Sequence, residues 1–107
     1  MSDGRVPPAD CATMVEVREG VDRLDEQIVA LLAERFRYME AAARIKPHRE
    51  AVRDEARKAE VIGNVRRMAA AEGSPVSAIE DLYDRLVEAS IAYELDRFDT
   101  IANSVRK

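Results

Sequence analysis

Apolar residues recur with a helical period along most of the chain. Between residues 13 and 46 they form one stripe on a helix that turns by about 100° per residue. The members of this stripe are Val17, Val21, Leu24, Ile28, Leu31, Leu32, Met39 and Ala42. Two shorter stripes follow at residues 61–69 and 79–98, and Val, Ile and Thr nowhere alternate with polar residues as they do in a strand. The pattern predicts an all-α fold of three helices, the first of which is very long.

Residues that start or stop helices set the predicted boundaries. Thr13 and Glu16 have the spacing of a capping box, in which each side chain accepts a hydrogen bond from the other residue's backbone N–H. Pro47 stops the first helix and begins a polar loop, and Asp54 favours the start of the second helix. These signals divide the chain into an extended N-terminal arm at residues 1–12, a helical domain at 13–99 and a frayed C-terminal tail at 100–107.

The first helix is predicted to be longer than a domain of this size is wide. Its roughly 30 residues span about 45 Å, whereas a compact chain of this length has a radius of gyration of about 13 Å. Because the apolar stripe continues along the whole helix, the part that extends past the domain needs a cover. A second copy of the chain would supply that cover by exchanging helices, so we expect an intertwined homodimer.

Composition and charge narrow the classes of function. The 107 residues fit one domain, and the net charge is −4 with cationic residues spread over all segments, which argues against a nucleic-acid or anionic-membrane surface. The first ten residues lack the basic and apolar blocks of a secretory signal, and no stretch reaches the roughly 18 apolar residues of a membrane span. A cytoplasmic protein is therefore expected. Cys11 is the single cysteine, so neither an internal disulfide nor a metal centre is expected.

The candidate site residues are polar side chains on the apolar faces of the helices, where a soluble protein normally places hydrophobic residues. The first helix carries Arg35 and Lys46 on the centre line of its stripe and Arg18 at the margin. The second helix carries Asp54 at its start, Arg57 at the edge of its apolar face and Lys58 on that face. On the third helix the inward polar residues are Ser90 and Glu94, one turn apart.

Cations outnumber carboxylates among these inward side chains. Since an unpaired buried charge is costly, the surplus favours a site for a small anion with more than one carboxylate or phosphate, and a structural salt-bridge network is the alternative. The chain has no glycine-rich phosphate loop and no nucleophile paired with a base, and His48 lies alone in the polar loop. Such a site suits a reaction that is accelerated by holding one conformation and stabilising developing negative charge.

Several short motifs occur on these same positions and in a characteristic order. They are Val17-Arg18-Glu19 with Asp22-x-x-Asp25, Leu32-Ala33-Glu34-Arg35, Ala43-Arg44-Ile45-Lys46, Val52-Arg53-Asp54 and Ser90-x-x-x-Glu94. Together they resemble the all-helical chorismate mutase family, including its isochorismate-pyruvate lyase branch. The resemblance runs from about Pro8 to Phe98, which is nearly the whole domain.

The resemblance implies a three-helix protomer in an intertwined homodimer with two equivalent pockets for a small dicarboxylate. It implies the conversion of chorismate into prephenate by a Claisen rearrangement, without a cofactor or a metal. Each pocket would take Arg18 from the partner chain. In the same pocket Arg35 and Arg57 would hold substrate carboxylates, Lys46 and Glu94 would flank the ether oxygen, and Asp54 and Ser90 would line the ring end.

Two positions depart from the pattern of the family. Many bacterial members carry Gln where this chain has Glu94, and a carboxyl group donates a hydrogen bond only when it is protonated. Lys58 stands where bacterial mutases often have a Glu that contacts the ring hydroxyl. Lys58 and the opening Pro8-Ala9-Asp10-Cys11, which is similar to lyase-branch members, leave isochorismate-pyruvate lyase as an alternative. A non-catalytic helical dimer that only binds is the second alternative, and we favour the mutase.

Overall fold

The protein is all-α, as the apolar periodicity predicts. A computed structural model describes residues 4–106, with side chains up to Ser104. Its helices are α1 (Met14–Ile45), α2 (Glu55–Ala71) and α3 (Val76–Arg106), and short 3-10 turns lie at Pro8–Asp10 and Arg49–Ala51. The three predicted helices and the great length of the first are confirmed. Within the described range no helix is long and apolar enough to cross a membrane.

Local hydrogen bonds explain both ends of α1. The predicted capping box is present: the Glu16 N–H donates to Thr13 Oγ1 at 3.2 Å, and the Thr13 N–H donates to Glu16 Oε1 at 3.1 Å. The Ala12 N–H also donates to Glu16, and this bond contributes most to lowering the pKa of that carboxyl. At the other end the Lys46 N–H still donates to the Ala42 carbonyl at 2.9 Å. Pro47 follows and cannot continue the ladder.

The chain divides into two units, Met1–Arg35 and Phe36–Lys107. In the first unit the N-terminal arm is not simply extended, because Pro8–Asp10 form a 3-10 turn. A small apolar hollow of about 160 Å³ lies between the arm and the first turns of α1, lined by residues that include Val6, Cys11 and Val21. The apolar stripe of α1 in this unit is uncovered in the single chain, since Val17, Val21, Leu24 and Ile28 are 38–49% exposed.

In the second unit the core is formed where α2 packs against α3. Val52, Val87 and Ile91 are buried, and Val61, Ile62 and Leu95 pack against them. Val52 directly follows the 3-10 turn Arg49–Ala51 and is buried, so the segment between α1 and α2 also contributes to the core.

Two apolar residues within the predicted stripes at residues 61–69 and 79–98 are not buried. Met68 and Leu82 are 57% and 63% exposed. A helix in this pairing buries a narrower face than its full apolar stripe, so residues at the edges of the stripe stay in solvent.

α2 ends at a glycine, whereas α3 continues beyond its predicted end. Gly73, with φ of +68°, takes the left-handed conformation that ends α2, and the Ser74 N–H then donates to the Ala69 carbonyl at 3.0 Å. Residues 100–106, assigned from sequence to a tail, continue α3, and Lys107, the last residue of that predicted tail, lies outside the described residues. Ile101 remains half-buried there, and the Thr100 hydroxyl donates to the Asp96 carbonyl at 3.0 Å.

Candidate active site

A buried ion pair between the end of α1 and the middle of α3 is the most distinctive polar feature of the second unit. Lys46 Nζ lies 2.6 Å from Glu94 Oε2, and the Glu94 side chain is 5% exposed whereas that of Lys46 is 29% exposed. The angle of this contact is not that of a hydrogen bond, and no other described group donates to Oε2. Lys46 Nζ also lies 3.5 Å from the Val52 carbonyl oxygen, to which it donates. The Lys46 ammonium is therefore accessible from solvent, and Glu94 Oε2 can still accept a hydrogen bond.

Ser90 lies one turn before Glu94 on α3 and is 3% exposed. Its hydroxyl donates to the Leu86 carbonyl at 2.7 Å. A hydroxyl that donates to the helix backbone still has lone pairs with which it can accept a hydrogen bond. The inward placement of Ser90 and Glu94 agrees with their positions on the helical wheel.

The polar residues at the start of α2 bond to neighbouring residues of the same helix. Asp54 is the N-cap, and its Oδ1 accepts from the Arg57 N–H at 3.0 Å. The Arg57 guanidinium is 63% exposed and pairs with Glu60. Arg57 was expected at the edge of the apolar face and instead points outwards, because the apolar contact of α2 with α3 leaves that edge in solvent. Asp54 and Arg57 are thus available at the surface rather than enclosed with Lys46 and Glu94.

Lys58 is held by two carboxylates of α3 that sequence reasoning missed. Its Nζ lies 2.8 Å from Glu88 Oε2 and 3.0 Å from Asp84 Oδ1, and its side chain is 20% exposed. Glu88 also accepts two hydrogen bonds from Arg53, at 2.7 and 3.2 Å. Lys46 and Lys58 each have a carboxylate partner within the protein, so neither is one of the unpaired inward cations that were predicted. Asp84 and Glu88 were not predicted as partners because they flank the apolar stripe. Two acidic residues one turn apart are nevertheless a pattern that can mark partners for a cation on α2.

The hydrogen bonds from Arg53, and then that from Lys58, lower the pKa of Glu88 to about 2. The hydrogen bond to Glu88, and then that to Asp84, raise the pKa of Lys58. A carboxyl whose pKa is lower in the folded than in the unfolded state stabilises the fold above its unfolded value, and this contribution disappears as the pH falls through the folded value.

We therefore expect part of the acid denaturation between about pH 4.5 and pH 2 to come from Glu88. The Glu88→Gln variant should show a smaller decrease of Tm over this window than the wild type, because it has no carboxylate there to protonate. Thermal unfolding at a series of pH values measures the difference. The matched variant Glu80→Gln, which removes the partner of Arg66 elsewhere on α3, should keep the wild-type slope. Equal slopes for Glu88→Gln and the wild type would contradict the expectation.

A second polar cluster links α1 to α3 beside Glu94 and was also missed. The rings of Phe36 and Tyr93 meet edge to face with centroids 5.3 Å apart, and Arg97 Nε lies 4.0 Å from Glu40 Oε1. Burial raises the pKa of Tyr93, and its hydrogen bond with Glu40 raises it further. Since Tyr93 precedes Glu94 directly, these contacts join α1 to α3 next to the buried carboxylate.

The remaining predicted residues lie in the first unit. Arg18 is exposed on α1 and Arg35 is half-buried near the end of that unit. The structure thus brings Lys46, Glu94 and Ser90 to the interior of the second unit, places Asp54, Arg57 and Lys58 along the start of α2, and leaves Arg18 and Arg35 on the part of α1 that belongs to the first unit.

Comparison with known proteins identifies the family. The family described as chorismate mutase type II matches residues 17–95, which is most of the chain. The chain belongs to the type II chorismate mutase family. A curated relative is the isochorismate pyruvate lyase of Pseudomonas aeruginosa, which is 31% identical over 88 residues, a stretch that covers 82% of this chain and 87% of the relative.

The range matched by the chorismate mutase family includes every site residue predicted from the sequence, from Arg18 to Glu94. It begins at residue 17, directly after the capping box of α1, and ends at residue 95, one residue after Glu94. The arm and the last turns of α3 lie outside it. A family that contains mutases, together with a relative named as a lyase, defines the class of enzyme and leaves its specific reaction to be proposed.

Proposed function

We propose that this protein is a chorismate mutase, which converts chorismate into prephenate by a Claisen rearrangement without a cofactor. The observation that carries the proposal is the Lys46–Glu94 pair. A carboxylate that is 5% exposed lies 2.6 Å from an ammonium group, at two positions that the family resemblance assigns to the ether oxygen of the substrate. Burial of this pair in a family of mutases supports a catalytic role over a purely structural one.

The proposed mechanism begins with the conformation of the substrate. Chorismate is an extended dianion, and its enolpyruvyl carbon must approach the ring before the new bond can form. Arg35, Arg57 and the partner's Arg18 are proposed to bind its carboxylates and hold this near-attack shape. Arg57 is free to do so at little cost, because its exposed ion pair with Glu60 is of a kind that contributes little to stability.

The chemical step is proposed to depend on Lys46 and Glu94. As the C–O bond breaks, negative charge grows on the ether oxygen, and a donor placed there stabilises the transition state more than the ground state. The Lys46 ammonium has three N–H groups, of which the hydrogen bond to the Val52 carbonyl uses one, while Glu94 lies against the ammonium as an ion pair. A further N–H is therefore available to the substrate. Glu94 can add a second donor only when its carboxyl group is protonated.

Asp54, Ser90 and Lys58 complete the proposed binding set. Asp54 and Ser90 are assigned to the ring end, where the Ser90 hydroxyl can accept a hydrogen bond. Lys58 contacts two carboxylates, those of Asp84 and Glu88, and its third N–H is the one that could reach the substrate. Its contribution is expected to be smaller than that of Lys46, because two carboxylates already neutralise its charge.

The proposal includes an intertwined homodimer located in the cytoplasm. The exposed apolar stripe of α1, from Val17 to Ile28, supports it, since an uncovered face of this extent is unusual in a soluble monomer. A second copy would cover the stripe and contribute Arg18 to the pocket of its partner.

Isochorismate-pyruvate lyase is the second candidate function. The relative from Pseudomonas aeruginosa carries that name and aligns over most of both chains, and the arm of this chain opens with a similar Pro8-Ala9-Asp10-Cys11. A pocket that folds and clamps a dianion also suits the elimination of pyruvate from isochorismate, which yields salicylate. The two reactions differ in substrate and products, so one experiment separates them.

The test is incubation of the purified full chain with chorismate and, separately, with isochorismate, followed by chromatography of the products. Prephenate from chorismate, formed faster than salicylate from isochorismate, is the expected result. Faster formation of salicylate and pyruvate would replace the proposal with the lyase. If neither substrate reacts, thermal stabilisation by a bicyclic dicarboxylate analogue of the transition state would identify a non-catalytic binder, and its absence would reject the site altogether.

A further inference from the structure

The connector between α1 and α2, residues 46–54, is fastened to α3 by three pairs of opposite charge. Lys46 pairs with Glu94, as described above. Two arginines of the connector make the other pairs, Arg49 with Asp99 and Arg53 with Glu88. Neither arginine was among the candidate site residues, and the proposed reaction assigns neither a role.

The Arg49–Asp99 pair has the geometry of a fork. Arg49 Nε donates to Asp99 Oδ1 at 2.9 Å and Nη2 donates to Oδ2 at 3.4 Å, so two parallel bonds set the angle as well as the distance. The hydrogen bond to Asp99 contributes most to raising the pKa of Arg49. Both side chains are about half exposed, at 54% and 46%. Such a pair contributes little to global stability, so its effect is expected in the placement of the connector.

The positions on α3 show how the connector lies. Glu88 and Asp99 are eleven residues apart, about three turns, and therefore face the same side of the helix, whereas Glu94 lies about 120° away from Glu88. The apolar stripe of Val87 and Ile91 runs between these two edges, and the buried Val52 covers it. The connector thus crosses α3 from the Glu94 edge to the edge that carries Glu88 and Asp99.

A short series of contacts joins the outer pairs to Lys46. Arg49 is the first residue of the 3-10 turn, and its carbonyl accepts from the Val52 N–H at 3.1 Å. The Val52 carbonyl in turn accepts from Lys46 Nζ, which lies against Glu94. A shift of Arg49 away from Asp99 would loosen this turn and, with it, the acceptor that orients the ammonium.

We propose that Arg49 and Asp99, supported by Arg53 and Glu88, are positioning residues that hold the connector across α3 and so aim the Lys46 ammonium. They do not contact the substrate. The catalytic consequence rests on the proposed function, whereas the mechanical consequence, a connector that opens more often when the pair is broken, does not. The two consequences are therefore measured separately.

The mechanical test is amide hydrogen exchange of the full chain followed by NMR. The Arg49→Gln variant should exchange the amides of Ala51 and Val52 about two- to fivefold faster than the wild type, which is the range expected for an exposed ion pair. The matched control is Arg66→Gln, which removes an Arg–Glu pair between α2 and α3 that does not touch the connector. The control should leave these amides unchanged. Unchanged exchange in Arg49→Gln, or an equal increase in both variants, would overturn the proposal.

A charge-swapped double variant, Arg49→Asp with Asp99→Arg, distinguishes pairing from any other effect of Arg49. It should return the Ala51 and Val52 amides towards the wild-type rate, because it restores an Arg–carboxylate contact at the same place. Exchange as fast as in the single variant would overturn the proposal. The swap also keeps composition and net charge constant, so it separates the pair from a change in the overall field of the protein.

The kinetic test uses whichever reaction the product assay detects. Arg49→Gln should lower kcat by a factor similar to the increase in exchange and leave KM nearly unchanged, because the residue acts on a donor needed in the transition state and not on a substrate carboxylate. An unchanged kcat in an active protein would overturn the positioning role. If the exchange results are as expected and no substrate reacts, the proposed function fails while the inference about the connector stands.

Discussion

Replacing Lys46 with Met is expected to lower kcat by about 10²- to 10³-fold, the loss that follows when a donor to a developing negative charge is removed. Met is of similar length and keeps the apolar contacts of the lysine stem, so the change removes little besides the ammonium. Steady-state kinetics with chorismate, or with isochorismate if the lyase is the active form, measures the effect. KM should change much less than kcat, because the carboxylate clamps remain.

Loss of the ammonium also leaves Glu94 buried without a counter-charge, which costs several kcal/mol of folding free energy. The double variant Lys46→Met with Glu94→Gln removes both charges and should recover most of the stability lost in the single variant. Its kcat should stay far below that of the wild type. Arg66→Met, which removes the cation of an ion pair between α2 and α3, serves as the control and should keep nearly full activity. A Lys46→Met enzyme that is folded and fully active would place the chemistry elsewhere.

Lys46→Met also tests which of the two chains supplies Arg18 to each pocket. If Arg18 crosses to the partner chain, then Lys46→Met and Arg18→Ala dimers are each inactive, but a mixed dimer contains one intact pocket. Unfolding and refolding the two variants together in equal amounts should restore about one quarter of the wild-type activity, since half of the dimers are mixed and half of their pockets are complete. Absence of recovery would show that Arg18 does not complete the partner's pocket.

The Glu94→Gln variant is expected to remove the pH dependence of the reaction. In the wild type, kcat should rise towards acid pH, because a carboxyl group donates to the ether oxygen only when it is protonated. The amide of Gln donates at every pH, so the profile of the variant should be flat and should exceed the wild type at alkaline pH. Measurements of kcat between about pH 5 and 9 are sufficient.

Glu88→Gln is the matched control for this profile. Glu88 is also a carboxylate of α3 that contacts cations, but its partners are Arg53 and Lys58 and it does not contact Lys46. Its variant should keep the slope of the wild type whatever its absolute rate. A wild-type profile without a slope, or a slope that persists in Glu94→Gln, would mean that Glu94 is not the group that donates.

The limits of α1 and the start of α2 were predictable because each depends on neighbours in the sequence. The Thr13–Glu16 capping box and the Asp54 cap form within a single turn, and both were found as expected. The inward placement of Ser90 and Glu94 follows from the helical period alone, since a buried polar residue stands out against apolar neighbours. Residues that break a regular pattern can be recognised without knowing what they face.

The sequence by itself determined the helical class, the limits of α1, the start of α2, the family and the buried Ser90 and Glu94, because caps and apolar periodicity are local properties. Only the tertiary structure decided which carboxylates the cations meet. Asp84, Glu88 and Asp99 are distant in sequence from their partners and half-exposed beside the apolar stripe, so no local pattern shows which cation each of them contacts. The burial of Val52 and the crossing of the connector over α3 likewise arise from packing between segments, which periodicity along one segment does not encode.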